Sequence, residues 1–398
     1  MTRPKPIARL LHKVKNHAFP LFRSWPGPRA IEQPDKRIAD LVQLCEDRLR
    51  AIGALGSEIA ELRRSRSSLL DEVSALRSAA APYRGPAIPV VLGVDVEPNA
   101  RAVDLRDPSW DATTAFFSKT VDLRNRVRTI SGAPLHITWF PRADPQVEIS
   151  NGSADWALKH FEAEWRIAQL EGDEIGLHMH PWRWDEVTRG WCQDHGDEGW
   201  VLQCARSSID AYRGAFGKTP AAYRGGDRFL SNAMVRLLEE EGVQLDLTLE
   251  RMPGAARLVE AERGTGNIPD GENIPPSAYR PSSADFRVPD PDKTSGLGML
   301  PLTAYEQETL APWLPNIRFE EALDRLLAAA PENGLTHLAF VARSDLANIP
   351  QWEAYVDNVI SLARRVREGR LVFKTASETW EYIGKSRSQP PFDESTTS

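Results

Sequence analysis

The chain is poor in the features that mark secreted, membrane or nucleic-acid-binding proteins. Its three cysteines, Cys45, Cys192 and Cys204, form no CxxC pair and show no metal-ligand spacing. A disulfide framework and a cysteine-based zinc module are thereby excluded, and reduced thiols are expected. There is no excess of positive charge: 49 Lys and Arg stand against 56 Asp and Glu, a net charge of -7. Nucleic acid is therefore not an expected partner. No apolar run approaches the ~20 residues of a transmembrane helix. The stretch from Ile7 to Phe22 is broken by Arg9, Lys13 and Lys15, so it lacks the uninterrupted apolar core of a signal peptide. A cytoplasmic location is the expectation.

What is present falls into segments. Residues 1–34 read as a basic arm, with Arg3, Lys5, Arg9, Lys13, Lys15, Arg23 and Arg29 and no acidic residue through position 31. Ile7, Leu10, Leu11, Val14 and Phe19 could form one helical face that touches anionic lipid, giving peripheral membrane contact. Pro20, Pro26 and Pro28 limit any helix, so a disordered arm is the alternative. Residues 35–80 carry a heptad. One seam runs through Ile38, Cys45, Ile52, Ile59, Arg66 and Val73, the other through Leu41, Arg48, Leu55, Leu62, Leu69 and Leu76. This predicts a coiled-coil helix and a homo-oligomer. A single solvated helix is the alternative, given Arg48, Arg66, Gly53 and Gly56. Residues 81–87 read as a linker and residues 386–398 as a disordered tail.

Between them, residues 88–385 alternate short apolar strands with amphipathic helices. Strands are expected at 89–95, 135–140, 174–180, 221–224, 244–249, 298–302, 337–343 and 371–374. Helices are expected at 112–128, 154–170, 205–215, 231–241, 318–330 and 352–368. Such alternation predicts an α/β fold with a mostly parallel sheet or barrel, whose chemistry gathers at the C-terminal strand ends. Those ends are polar: Asp95 and Glu97, Arg142 and Asp144, His178 and His180, Arg224 with Asp227 and Arg228, and Asp246 with Glu250. Residues i and i+2 of a strand share a face, so His178 and His180 face one spot, as do Asp95 and Glu97.

Three of these segments resemble motifs of the polysaccharide deacetylases, the NodB-homology or carbohydrate esterase family 4 group. GVDVEP (residues 93–98) resembles the family's TFDDGP, GDEIGLHMHPW (residues 172–182) its GHEIGNHTxxH, and YRGGDRF (residues 223–229) its FRPPYG. PPSAYRPSS and GMLPLT are similar to segments of members linked to lipopolysaccharide and capsule synthesis. The resemblance covers roughly residues 88–380 and implies a distorted (β/α) barrel. It also implies a divalent metal, zinc by preference, held by one Asp and two His. A second Asp then acts as base, an Arg of the third motif orients it, and a late His acts as acid. The implied reaction removes an N-acetyl or O-acetyl group from a sugar in surface-polysaccharide or lipopolysaccharide biosynthesis.

Carried over residue by residue, the pattern is altered in three places. Asp95 matches the base, but Val96 stands at the usual metal-ligand Asp, so Glu97 is the candidate replacement; alternatively Asp95 is itself the ligand. His178 matches the first metal histidine, whereas the usual position of the second holds Trp182, which leaves His180. Near the late acid position stands Arg343. His337 lies six residues, roughly 20 Å of strand, from Arg343, which places it at the opposite end. The expected site therefore has Asp95, Arg224 and Arg343 as catalytic groups and Glu97, His178 and His180 as metal ligands. Arg142, Asp144, Trp182 and Asp227 are expected at a carbohydrate substrate. A metal-independent version, with His, carboxylate and Arg working alone, stays open. Trp139, Trp182, Trp184, Trp191 and Trp200 either stack on sugar faces or fill the core. Other readings are hydrolysis of a different non-peptide C–N bond and a non-catalytic glycan-binding scaffold.

Overall fold

The computed structural model describes residues 34–80, 86–251 and 264–388. The basic arm and most of the expected linker and tail lie outside the described residues. Helix α1 (Pro34–Ala80) occupies the heptad segment. Ile52, Leu55, Ile59, Leu62 and Leu69 on it are all at least half exposed. No described helix is long and apolar enough to cross a membrane.

From residue 88 onward the fold alternates strands and helices. In chain order come β1 (Ile88–Val96), α2 (Asp111–Ser131), β2 (Thr138–Pro141), α3 (Pro145–Asn151), α4 (Trp156–His160), α5 (Glu162–Leu170), β3 (Glu174–Ile175) and β4 (Leu177–Met179). A hairpin of β5 (Trp182–Asp185) and β6 (Gly190–Gln193) leads to α6 (Glu198–Phe216), β7 (Ala222–Gly225), α7 (Asn232–Glu240) and β8 (Leu245–Asp246). Then follow β9 (Gly298–Met299), a second hairpin of β10 (Ala304–Tyr305) and β11 (Glu308–Thr309), and α8 (Asn316–Asn333). The last elements are β12 (Leu338–Arg343), α9 (Gln351–Arg367), β13 (Leu371–Phe373) and α10 (Ala376–Ser388). Helix α10 runs three residues into the segment expected as tail.

Local chemistry sets many of the boundaries. Asp144 caps α3 by accepting from the N–H groups of Gln146 and Val147, with Pro145 at the first helical position. Ser231 caps α7 through the Met234 N–H. Helices α2 and α6 end at Gly132 and Gly217, both in the left-handed conformation. The expected helix 154–170 is two helices, broken at Phe161. The β5–β6 and β10–β11 hairpins and helices α3 and α10 have no counterpart among the elements expected from periodicity.

The strands outside the hairpins pair in parallel in two sheets. Strand β1 pairs with β12, β2 and β13, and β2 with β3; β4 pairs with β7, β7 with β8 and β8 with β9. Strands β3 and β4 are one extended segment that passes from the first sheet to the second at Gly176. The Gly176 N–H donates to the Trp139 carbonyl at 2.7 Å, and beyond it Arg142 bridges to His178. A Cβ at residue 176 would lie 2.8 Å from both the Ala222 carbonyl oxygen and the Phe140 ring, so the crossing admits only glycine. At the other flank the Thr303 N–H donates to the Ala339 carbonyl at 2.9 Å, and the Ala339 N–H to Thr303 Oγ1 at 2.8 Å.

Strand alternation divides the core in two. Val90, Leu92, Val94 and Val96 join the larger apolar cluster, which includes α2 and α9 residues such as Phe116 and Tyr355. Val91 turns the other way, into a smaller cluster with Phe140, Ala222, Leu245, Ala339 and Val341. Because Gly176 sits against this inner cluster, Gly176→Ala is expected to lower stability by about 1–3 kcal/mol, the usual cost of overfilling a packed core. A shifted urea midpoint is the readout, and an unchanged midpoint contradicts the packing described.

Candidate active site

The inner face of the strands becomes polar at one end. On β1 the series Val91 and Gly93 continues into Asp95 and Glu97. On β12, Ala339 and Val341 continue into Arg343, and on β7, Ala222 continues into Arg224. His178 on β4 and His180 just beyond it complete the set. Register brings these residues level: Asp95 pairs with Arg343 across β1–β12, and His178 with Arg224 across β4–β7. Strand geometry thus delivers two carboxylates, two imidazoles and two guanidiniums to one cavity of about 450 Å3.

At its base Glu97, His178 and His180 converge, all buried, with one ligand atom from each lying within 4.8 Å of the others. Each imidazole has its Nδ1 engaged. His178 Nδ1 is 2.8 Å from the Arg224 carbonyl oxygen and His180 Nδ1 is 2.9 Å from Asp227 Oδ2. Those acceptors demand an N–H on Nδ1, which leaves Nε2 of each ring as a lone pair. The two Nε2 atoms are 3.0 Å apart, and Glu97 oxygens lie 3.7 Å from the first and 3.4 Å from the second. Two lone pairs cannot face each other so closely unless a positive charge sits between or beside them. A proton meets that demand, and so does a divalent cation: two nitrogens on one tetrahedral zinc stand about 3.3 Å apart. The donor set, one carboxylate and two imidazoles, fits zinc.

Electrostatics likewise favour a positive charge at this point. Burial opposes ionisation of Glu97, but Arg343 and the two imidazoles hold its carboxyl well below the usual range. Burial and Arg142 oppose protonation of His180, yet Asp227 and Glu97 outweigh them and raise its pKa. Burial pushes the Asp227 carboxyl up, while His180 and Arg101 bring it well below the ordinary value. The backbone of Glu97 is fixed as well. Its N–H donates to Ser344 Oγ at 3.1 Å, and the Thr113 hydroxyl donates to its carbonyl at 3.1 Å.

Beside this cluster Asp95 faces the cavity, with Arg224 Nε 3.0 Å from both carboxylate oxygens. Arg224 is locked in turn, its Nη1 2.8 Å from the Leu247 carbonyl and its Nη2 3.4 Å from Glu250. Burial works against its charge, but Asp95 and Glu250 raise its pKa further. Arg343 Nε lies 3.5 Å from Glu97 Oε1, and this side chain is partly exposed to the cavity. Ile268, Leu310, Pro312 and Trp313 add an apolar wall.

The residues expected at the substrate are placed differently. Arg142 and Asp144 are fully buried; Arg142 pairs with Asp144, and its Nη1 lies 3.6 Å from Glu97, so the pair lies against the cluster and not on the cavity wall. Asp144 is occupied by its helix cap and by the His180 N–H at 3.1 Å. Trp182 is buried at the start of the β5–β6 hairpin and does not line the cavity. Trp139, Trp184, Trp191 and Trp200 do not line it either; Trp139 packs on Phe116 and Trp165, and Trp184 on Trp191. The indole on the wall is Trp313, from a Pro-rich loop without a periodic signal. Asp227 does line the cavity, but its carboxylate is taken by His180 and Arg101. Arg101, in the irregular segment after β1, gave no sequence signal, whereas Glu250 stood among the polar strand ends.

No protein-family model and no curated protein matches the chain. Among solved structures it is similar to a protein from Mycobacterium smegmatis described as a polysaccharide deacetylase, at 14% identity and a TM-score of 0.47 over 79% of this chain and 97% of that one. It is similar to an allantoinase at 14% identity and a TM-score of 0.46, over 77% of this chain and 94% of the other. It is also similar to the peptidoglycan deacetylase PdaC from Bacillus subtilis, at 11% identity and a TM-score of 0.33, over 76% and 93% of the two chains.

His337 lies away from this cavity. It is buried just before β12, with Nε2 3.0 Å from the Pro301 carbonyl oxygen, and burial lowers its pKa to about 4. Because the unfolded state binds a proton more readily than the folded state, stability is full above pH 6.5 and is lost as pH falls through about 4. At about 1.4 kcal/mol per pKa unit, this residue contributes about 3 kcal/mol to that loss. His337→Gln is expected to flatten the acid limb of a stability-against-pH curve by that order; an unchanged limb contradicts its burial as a neutral ring.

Proposed function

We propose that the protein is a hydrolase of non-peptide C–N bonds that removes an N-acetyl group from an amino sugar in surface-polysaccharide or lipopolysaccharide biosynthesis. The observation that carries this reading is the paired imidazoles: both Nδ1 atoms are engaged, both Nε2 atoms face one point with Glu97, and Asp95 stands on the same cavity. The three motifs that resemble the polysaccharide deacetylases place these residues in the family's order. In this reading the parallel strands form a distorted barrel that opens at the site.

Glu97, His178 and His180 would hold the cation. When bound, a divalent metal such as zinc supplies Lewis acidity: it acidifies water and polarises a carbonyl oxygen. Asp95, oriented by Arg224, accepts a proton from the attacking water as the water oxygen bonds to the acetyl carbon. The carbonyl oxygen gains negative charge, which Arg343 at the cavity wall stabilises. The C–N bond then breaks with its electron pair going to nitrogen, the amine takes a proton from Asp95, and acetate leaves. Among the described residues no imidazole other than His178 and His180 lines the cavity. Asp95 therefore serves as both base and acid. Trp313 and its apolar neighbours offer a surface for the C–H face of a sugar ring.

The test is acetate release from N-acetylated amino-sugar oligosaccharides. Asp95→Asn is expected to lower kcat by about 10²–10⁴-fold with little change in KM, as for loss of a general base. Full activity in Asp95→Asn contradicts the role of Asp95, and no acetate release by the zinc-loaded wild type favours a non-catalytic glycan-binding protein.

We further propose that α1 pairs with the α1 of a second copy through Ile52, Leu55, Ile59, Leu62 and Leu69, a seam whose apolar side chains are exposed. A cytoplasmic site of action, with the basic arm against lipid, completes the proposal. Replacing Leu55, Leu62 and Leu69 by Glu is expected to reduce the mass from light scattering to that of one chain; equal masses for variant and wild type contradict the pairing.

A further inference from the structure

The turn after β7 is shaped around one imidazole. Residues Gly226–Arg228 form a single helical turn in which Asp227, at φ 51, and Arg228, at φ 62, both adopt left-handed backbone. That conformation costs an ordinary L-residue about 1–2 kcal/mol, and it persists where the surroundings enforce it. A Cβ at residue 226 would lie 2.3 Å from Nδ1 of His180, so only glycine lets the turn close on the ring. A Cβ at the preceding Gly225 would lie 2.6 Å from the Phe229 carbonyl oxygen, so the tightness extends along the whole turn. The result is that the Asp227 carboxylate, pinned on its other oxygen by Arg101, reaches the His180 Nδ1.

We propose that Asp227 is a positioning residue: by accepting the Nδ1–H of His180 it fixes the tautomer and ring plane that aim Nε2 at the point shared with Glu97 and His178. The inference rests on reading that point as a divalent-cation site. Two histidines at i and i+2 share one strand face, and the strand itself fixes neither ring plane. Each ring takes its brace from the same neighbouring segment: His178 from the Arg224 carbonyl, His180 from Asp227. A carboxylate is the stronger brace, because the hydrogen bond is charge-assisted and makes the imidazole a more basic ligand. Burial of the partners keeps water from competing: the side chains of His180 and Asp227 are 4% and 10% exposed.

Two measurements on the full chain test this. Zinc affinity is read by chelator competition, and the His180 tautomer by long-range proton–nitrogen spectra of the rings, with the signal identified by its absence in His180→Gln. The wild type is expected to bind one zinc and, without metal, to show His180 protonated on Nδ1. Asp227→Ala is expected to weaken zinc binding about 10–100-fold and to lose the Nδ1–H form. Asp227→Asn keeps the shape without the charge and is expected to weaken zinc binding less than Asp227→Ala. Unchanged zinc affinity with an unchanged tautomer in both variants overturns the proposal. Absence of zinc binding by the wild type overturns the cation reading alone; the tautomer then decides, its loss in Asp227→Ala supporting the brace and its persistence refuting it. If Asp227→Ala does not fold, Asp227→Ser, too short to reach the ring, carries the comparison, and a wild-type zinc affinity with an unchanged tautomer there refutes the proposal.

Discussion

Two imidazole nitrogens, 3.0 Å apart with their opposite ring nitrogens already spent on acceptors, impose the main constraint on this molecule. Neither Nε2 can donate to the other while both rings are neutral, so the pair calls for a positive charge at that point. Glu97 supplies the negative partner for that charge, and Arg343 and Arg142 are set around Glu97 in turn. The ion pairs at the base of the cavity all refer back to these few atoms. Charges so far from water are tolerable only because each has an opposite partner within reach.

The backbone around the site is correspondingly intolerant of bulk. Gly93 lets β1 run where a Cβ would meet Val341 at 2.8 Å, Gly176 lets one segment cross between the two sheets, and Gly226 admits the His180 ring. These close approaches draw together strands whose inner residues turn from apolar to polar toward one end. The inner apolar cluster lies below and the charged groups lie above. The low polarity beneath strengthens every ion pair above it.

Most strand positions and the polar strand ends were legible in the sequence because they rest on period-two alternation and apolar runs. Asp95 with Glu97 and His178 with His180 could be paired by face from their two-residue spacing alone. What alternation could not reveal is depth. Arg142 and Asp144 look like any other polar strand end, yet they turn inward to brace the cluster from beneath. Trp182 lies beside the second motif but is consumed by the hairpin core. Arg101 and Trp313 come from irregular segments whose positions depend on long-range packing, so no local pattern announces them. Asp227 was visible as a polar residue, but its acceptor role follows from a left-handed turn that composition does not encode.

The central claim is that Glu97, His178 and His180 share one divalent cation. Diffraction at the zinc absorption edge, from crystals of the full chain grown with one equivalent of zinc, tests it most directly. The account predicts one anomalous peak about 2.0–2.2 Å from Nε2 of both histidines and from a Glu97 oxygen. A peak held by other residues, or no peak at this point with both rings ordered, would contradict it.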